Sequence, residues 1–222
     1  MKVSIITPSR RRPAQLRKCI ERLIETVQGH DVEIIVVSDG DKETALAMAD
    51  VEGIILIVDE ERTGAAACWN QATRIATGDA FVLGADDLYW GDGWLDAALR
   101  ALDRLGGSGM IGFNDGRVPE HAFATHHLMT RDYIIDHMGG CFVIPVYKHQ
   151  YIDLEATARA RACSKYLWAG DCNVEHLHYA HHKAPFDETY RLGAESMSVD
   201  GELYKARMAA GWPDDFEPIL TR

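Results

Sequence analysis

The chain has 222 residues, 47% of them hydrophobic, with a formal net charge of −11; this suits one domain with a substantial core. Such an acidic balance argues against a general nucleic-acid coat or an anionic-membrane binder, though not against a local basic site. No apolar run reaches the roughly 20 residues of a membrane span, and the N-terminus enters a strand without a leader's apolar stretch. The five cysteines form no CxxC pair and read as reduced, mostly buried thiols, so a cytoplasmic protein is expected.

In chain order, Val3 to Thr7 is a β-branched run suited to a buried strand. Pro13 opens a helix in which Leu16, Ile20, Leu23, Ile24 and Val27 recur at three- and four-residue steps. Val32 to Val37 is a second strand closed by Ser38-Asp39-Gly40. A helix from Lys42 to Ala49 leads to a third strand, Ile54 to Val58. Gly64 to Thr77 is Ala-rich and helical, and Ala80 to Leu83 is a fourth strand. A helix around Trp94 to Leu102 follows. Strands alternating with helices in this way imply parallel βαβ units in an α/β, doubly wound sheet.

The second half is less regular. Met110 to Phe113 reads as a strand, Thr130 as the N-cap of a helix over Tyr133 to Met138, and Asp153 to Ala162 as a helix. Asn173 to Leu177 reads as a short strand, and residues 181–196 as loop.

The chemistry concentrates at Gly84-Ala85-Asp86-Asp87, where the fourth strand runs out. Strand ends of open α/β sheets face the crevice that binds ligands. Two adjacent carboxylates there repel unless a cation or hydrogen-bond donors offset them, and phosphate-bridging cations take one or two carboxylates. The plain alternative is a solvated turn capping the next helix.

Five segments in order resemble the nucleotide-sugar glycosyltransferases of family 2, which have the GT-A fold. They are Ser4–Arg10 (the opening strand and turn), Ile34–Gly40 (the second strand), Gly64–Ala72 (a glycine-alanine helix), Gly84–Asp87 (similar to the Asp-x-Asp-Asp metal motif, with glycine first) and Tyr151–Arg161 (the helix of the catalytic base). The resemblance covers about residues 3–180. It implies a single GT-A domain, with a nucleotide-binding half over 1–90, an acceptor and catalytic half over 91–180, and a C-terminal extension over 181–222.

The resemblance also implies roles. Asp39 would accept hydrogen bonds from the base, or else serve only its Asp-Gly turn. Thr7, Pro8 and Arg10 would line the neighbouring strand end, with Arg62 and Asn70 flanking the glycine-alanine helix near the nucleotide. Asp86 would bond the ribose or share a Mn²⁺ or Mg²⁺ ion with Asp87, and His176, with His178 next, would complete that site. Asp153 is the expected general base, or merely a helix cap, and Glu155 is the backup base. The segment Lys183 to Arg191 suits a lid whose Lys183 and Arg191 meet the diphosphate.

The expected activity is metal-dependent, inverting transfer from a nucleotide-diphosphate sugar, UDP-sugar first, to a hydroxyl acceptor. Polysaccharide, a small molecule and a modified base in phage DNA all stay open as acceptors. A sugar-nucleotide pyrophosphorylase would need a glycine-rich turn after the first strand, where this chain has Pro8-Ser9-Arg10-Arg11-Arg12-Pro13. A silent nucleotide-binding scaffold is the alternative outside enzymology.

Overall fold

The computed structural model describes residues 1–120 and 122–222. Its first half runs β1 (Val3–Ser9), α1 (Pro13–Thr26), β2 (Val32–Ser38), α2 (Lys42–Met48), β3 (Ile54–Val58), α3 (Ala65–Ile75) and β4 (Ala80–Leu83). These are the elements that the hydrophobic periodicity predicts. β1 lies between β2 and β4, and β3 flanks β2, all in parallel register. Between β1 and β4 the direction of winding reverses, which opens a crevice at their C-terminal ends. Trp69 Nε1 spans that split, donating to Ile6 O at 3.2 Å and Gly84 O at 3.1 Å.

The second half adds β5 (Leu88–Trp90), α4 (Trp94–Arg104), β6 (Met110–Asn114), β7 (His127–Thr130), α5 (Arg131–His137), α6 (Ile152–Ala162), β8 (Tyr166–His176), α7 (Glu188–Glu195) and α8 (Met197–Ala209). The sheet order is β3-β2-β1-β4-β7-β6-β8-β5. β7 is antiparallel to both β4 and β6, and β5 is antiparallel to β8. The mostly parallel sheet therefore carries an antiparallel insertion, and β7 places the segment before it beside the end of β4. One core packs α1, α2 and α4 on one face of the sheet; a second packs α3, α5 and α6 on the other.

Two expectations are corrected and a third, the Thr130 N-cap, holds in position. The strand expected over Asn173 to Leu177 begins at Tyr166, because β8 pairs along β6 before it reaches β5. The expected loop over 181–196 contains α7, capped by Asp187, whose carboxylate accepts from Tyr190 N. Thr130 sits at the N-cap of α5 without a capping bond; its hydroxyl accepts from Gly109 N instead. Among the described residues, no helix is long and apolar enough to cross a membrane.

Candidate active site

A cleft of about 520 Å³ opens at the C-terminal ends of β1, β2 and β4, a size suited to a small ligand. Pro8, Ser9, Arg10, Arg12, Asp39, Arg62, Asp86, Asp87, Asp153, His176 and His178 all line it. The cleft thus brings together residues up to 170 positions apart (Pro8 to His178), and the sheet topology is what does so. A larger depression lies beside the N-terminal part of β8, lined by Arg104, Arg161 and Trp168. It is remote from the strand ends and lacks a carboxylate pair.

Asp86 and Asp87 form the floor. Ser9 Oγ donates to Asp86 Oδ2 at 2.7 Å and Arg12 Nη1 to Asp86 Oδ1 at 2.9 Å. Asp87 Oδ2 accepts from the Tyr190 hydroxyl at 2.9 Å and lies 3.2 Å from His176 Nε2 and 3.6 Å from Arg12 Nη1. Burial and the neighbouring Asp87 charge raise the Asp86 carboxyl above its ordinary range. Burial works against ionised Asp87 too, but His176 and Arg12 outweigh it and hold that carboxyl low. The pair therefore demands positive charge. Oxygen donors at 2.7–3.6 Å from cationic or hydroxyl groups, with an imidazole alongside, fit a divalent cation of the Mg²⁺ or Mn²⁺ kind.

Gly84 replaces the motif's first aspartate for a steric reason. A Cβ there would collide with Thr7 Oγ1 and stand 2.8 Å from Ile6 O. Thr7 is itself fully buried beneath the strand end and does not line the cleft; it shapes the floor from below.

Asp39 lines the cleft while bracing it. Its Oδ1 accepts from Thr63 N at 2.5 Å, and its Oδ2 from Gly64 N at 3.1 Å, so it pins the turn that starts α3. Arg10 supports the same corner through Asp39 O and Gly40 O. Arg62 is exposed at the rim. Asn70 is corrected: its amide clamps Val143, donating to the carbonyl at 2.8 Å and accepting from the N–H at 3.1 Å. It is a buried tie between α3 and residues 141–144, not a nucleotide ligand.

Asp153, in the first turn of α6, is half-buried at the cleft wall. Burial pushes its carboxyl up to about 6, where a general base works near neutral pH. Glu155 is corrected. It is 0% exposed, faces away from the cleft, and accepts from Tyr147 OH at 2.6 Å, Arg159 Nε at 2.9 Å, and Arg207 Nε and Nη2 at 2.9 and 3.1 Å. No acceptor hydroxyl can reach it.

His178 lines the cleft beside His176, with ring centroids 4.9 Å apart, and burial lowers its ring to about 4. Its Nδ1 accepts from Ala180 N, so it caps a 3-10 turn. Lys183 and Arg191 are corrected as well: Lys183 pairs with Glu175 at 2.8 Å, and Arg191 pairs with Glu195 and Glu188. Neither lines the cleft. The same segment meets the cleft through other residues. Asp187 takes both Arg12 Nε and Nη2, at 2.6 and 2.8 Å, and the Tyr190 ring lies 4.1 Å under the Arg12 guanidinium.

Sequence reasoning therefore missed Arg12 as the central cation, and Asp187 and Tyr190 as its partners. It also missed Asp115 and His126, buried at the ends of β6 and β7. The signal for Arg12 was its place immediately before Pro13, which fixes it at the start of α1.

Residues 4–163 match the sequence profile of Glycosyl transferase family 2, well over half of the chain. The chain belongs to this family. It is a glycosyltransferase. Among curated proteins none matches at a significant level. Among solved structures, the enzyme is similar to a mannosyltransferase, PcManGT from Pyrobaculum calidifontis in complex with GDP-Man and Mn²⁺. The TM-score is 0.60 at 15% identity, over 94% of this chain and 79% of that one. It is also similar to S. aureus TarS, with a TM-score of 0.57 at 16% identity, over 78% of this chain and 36% of that one. At these identities the likeness is one of fold.

Proposed function

We propose that the enzyme transfers a sugar from a nucleoside-diphosphate donor to an acceptor hydroxyl by a single inverting displacement. Residues 1–90 would bind the donor and 91–180 would present the acceptor to it, with 181–222 closing over the cleft. The observation that carries this reading is the opposition, across one cleft, of the ionised Asp87 floor and the half-buried Asp153 wall.

Asp153 takes the proton of the acceptor hydroxyl as that oxygen attacks the anomeric carbon; the glycosidic C–O bond to the β-phosphate breaks and its electrons leave with the diphosphate. Arg12, Arg62 and Lys148, all lining the cleft, offer positive charge to that leaving group. Asp87, with Asp86, would hold the Mn²⁺ or Mg²⁺ ion, which when bound neutralises diphosphate charge. Asp39 would receive the base at the corner formed by Arg10 and Thr63. Tyr190 and Asp187, on the 187–196 strap, exclude water from the closed cleft. UDP-sugars are the first donors expected, and the GDP-Man bound by the mannosyltransferase of similar fold makes GDP-mannose the next to screen.

The test is release of nucleoside diphosphate across a donor panel with Mn²⁺, repeated in excess EDTA and with Asp87→Asn. Activity should vanish in both, with Asp87→Asn still folded. Undiminished turnover in EDTA or in Asp87→Asn would sink the cation assignment. A product with retained anomeric configuration would exclude the single displacement.

A further inference from the structure

Beside the cleft, whose wall His126 and His176 help to form, three side chains converge, each with one unpartnered atom. Asp115 is 1% exposed, His126 4% and His176 7%. One ligand-type atom from each lies within 4.8 Å of the other two. Asp115 Oδ2, His126 Nε2 and His176 Nδ1 are buried, and none has a hydrogen-bond partner; Asp115 Oδ2 lies 3.9 Å from His176 Nδ1.

The surrounding bonds orient each group and place the His126 proton. His126 Nδ1 lies 3.1 Å from Leu83 O, and a carbonyl only accepts, so Nδ1 carries the hydrogen and Nε2 presents a lone pair. His176 Nε2 faces the Asp87 carboxylate at 3.2 Å, which turns Nδ1 toward Asp115. Asp115 uses its other oxygen, Oδ1, to accept from Arg117 N and Val118 N, which aims Oδ2 at the imidazoles. Three buried polar atoms without partners thus converge, two of them fixed as acceptors. Buried polar atoms left in this state are costly, and a cation is a group that satisfies all three at once.

We propose that Asp115, His126 and His176 form a second cation site, distinct from the Asp86–Asp87 floor, that takes a zinc-class divalent ion on two imidazole nitrogens and one carboxylate oxygen. Two imidazoles select zinc-class ions over Mg²⁺, and bonds of about 2.0–2.2 Å would draw the three atoms closer together. The partners on the far side, Leu83 O for His126 and Asp87 for His176, are the acceptors that orient metal-bound histidines. Such an ion would tie the ends of β6, β7 and β8 together beside the cleft. It would also fix the His176 ring against Asp87.

The full-length chain, stripped of metal, is titrated with Co²⁺ in the absence of any nucleotide, so the result does not depend on the transfer reaction. The expected result is a single equivalent bound, with the visible absorption of a nitrogen-ligated, low-coordinate ion, displaced by Zn²⁺ but not by Mg²⁺. Asp115→Asn and His126→Gln, which remove ligands, should each abolish the band, whereas Asp87→Asn, which removes only an outer partner of His176, should weaken binding by about tenfold and keep the band at saturating Co²⁺. Should either variant fold poorly, the wild-type protein decides alone: Zn²⁺ at micromolar concentration should raise its unfolding temperature. The proposal is overturned if the wild type shows neither the Co²⁺ band nor the Zn²⁺-dependent rise. It is equally overturned if Asp87→Asn loses the band while His126→Gln keeps it, which would put His176 on the cleft-side cation instead.

Discussion

Replacing Glu155 by glutamine separates a structural carboxylate from a catalytic one. Four donor contacts converge on its two oxygens: Tyr147 OH, Arg159 Nε, and Arg207 Nε and Nη2. Glutamine keeps the volume but offers a single acceptor oxygen, and its NH₂ group meets donors where the carboxylate met none. It also removes the negative charge between two arginines that are less than one-tenth exposed. Breaking a buried ion pair from one side typically costs about 3–5 kcal/mol. For a chain of this size each kcal/mol moves the unfolding midpoint by about 2–4 °C, so Glu155→Gln should lower Tm by about 6–20 °C. Differential scanning calorimetry measures the shift, and nucleoside-diphosphate release well below the new midpoint measures transfer. Turnover per folded molecule should persist. A variant with unchanged Tm and no transfer would refute the reasoning and return Glu155 to the chemistry.

Asp153→Asn should behave in the opposite way, losing about 10²–10⁴ in transfer rate while donor affinity, read by calorimetry, holds. In the wild type, activity should climb as pH rises through about 6, where the buried Asp153 carboxyl ionises, and that limb should be missing from the residual activity of the variant. The sign for stability follows: a carboxyl raised on folding binds more protons in the native state, so its contribution falls as pH rises from about 4 to 6. Asp153→Asn should therefore not lower Tm at pH 7, and a marked loss would show a structural role instead. Gly84→Ala should destabilise by about 1–3 kcal/mol, as overpacking does, because the added Cβ collides with Thr7 Oγ1 and Ile6 O; a denaturant midpoint equal to wild type would show that the strand end yields.

The first half was legible because local pattern and tertiary structure agree there. β1 to β4 are short apolar runs between helices whose buried faces recur at helical spacing, and Asp39, Asp86 and Asp87 fall where those strands stop. The other half depends on partners far apart in sequence. β7 is four residues long and is defined by its neighbours β4 and β6. α7 is held by Asp187 on Arg12 and by Tyr190 on Asp87, pairings across 175 and 103 positions, which no periodicity reveals. Glu155 sits in the first turn of the same helix as Asp153 and shares its charge, yet the α-helical turn points it toward Arg207 rather than the cleft. Asp115 and His126 belong to no motif, and only burial of polar groups at strand ends exposes them.

The Glu155 cluster also shows that this fold extends past its family signature. The signature ends at residue 163, but the helix carrying Asp153 is completed by Arg207, which also reaches Asp215, and by Arg159, which grips Asp214 and Trp212 O. A recombinant fragment cut at the signature's edge would strand Glu155 with half of its positive neighbours and would strip Asp187 from Arg12. For this enzyme, expression boundaries, domain swaps and fusion points belong beyond residue 220, because the segment after α8 packs against α6 and its Leu220 enters the core beside Gly140.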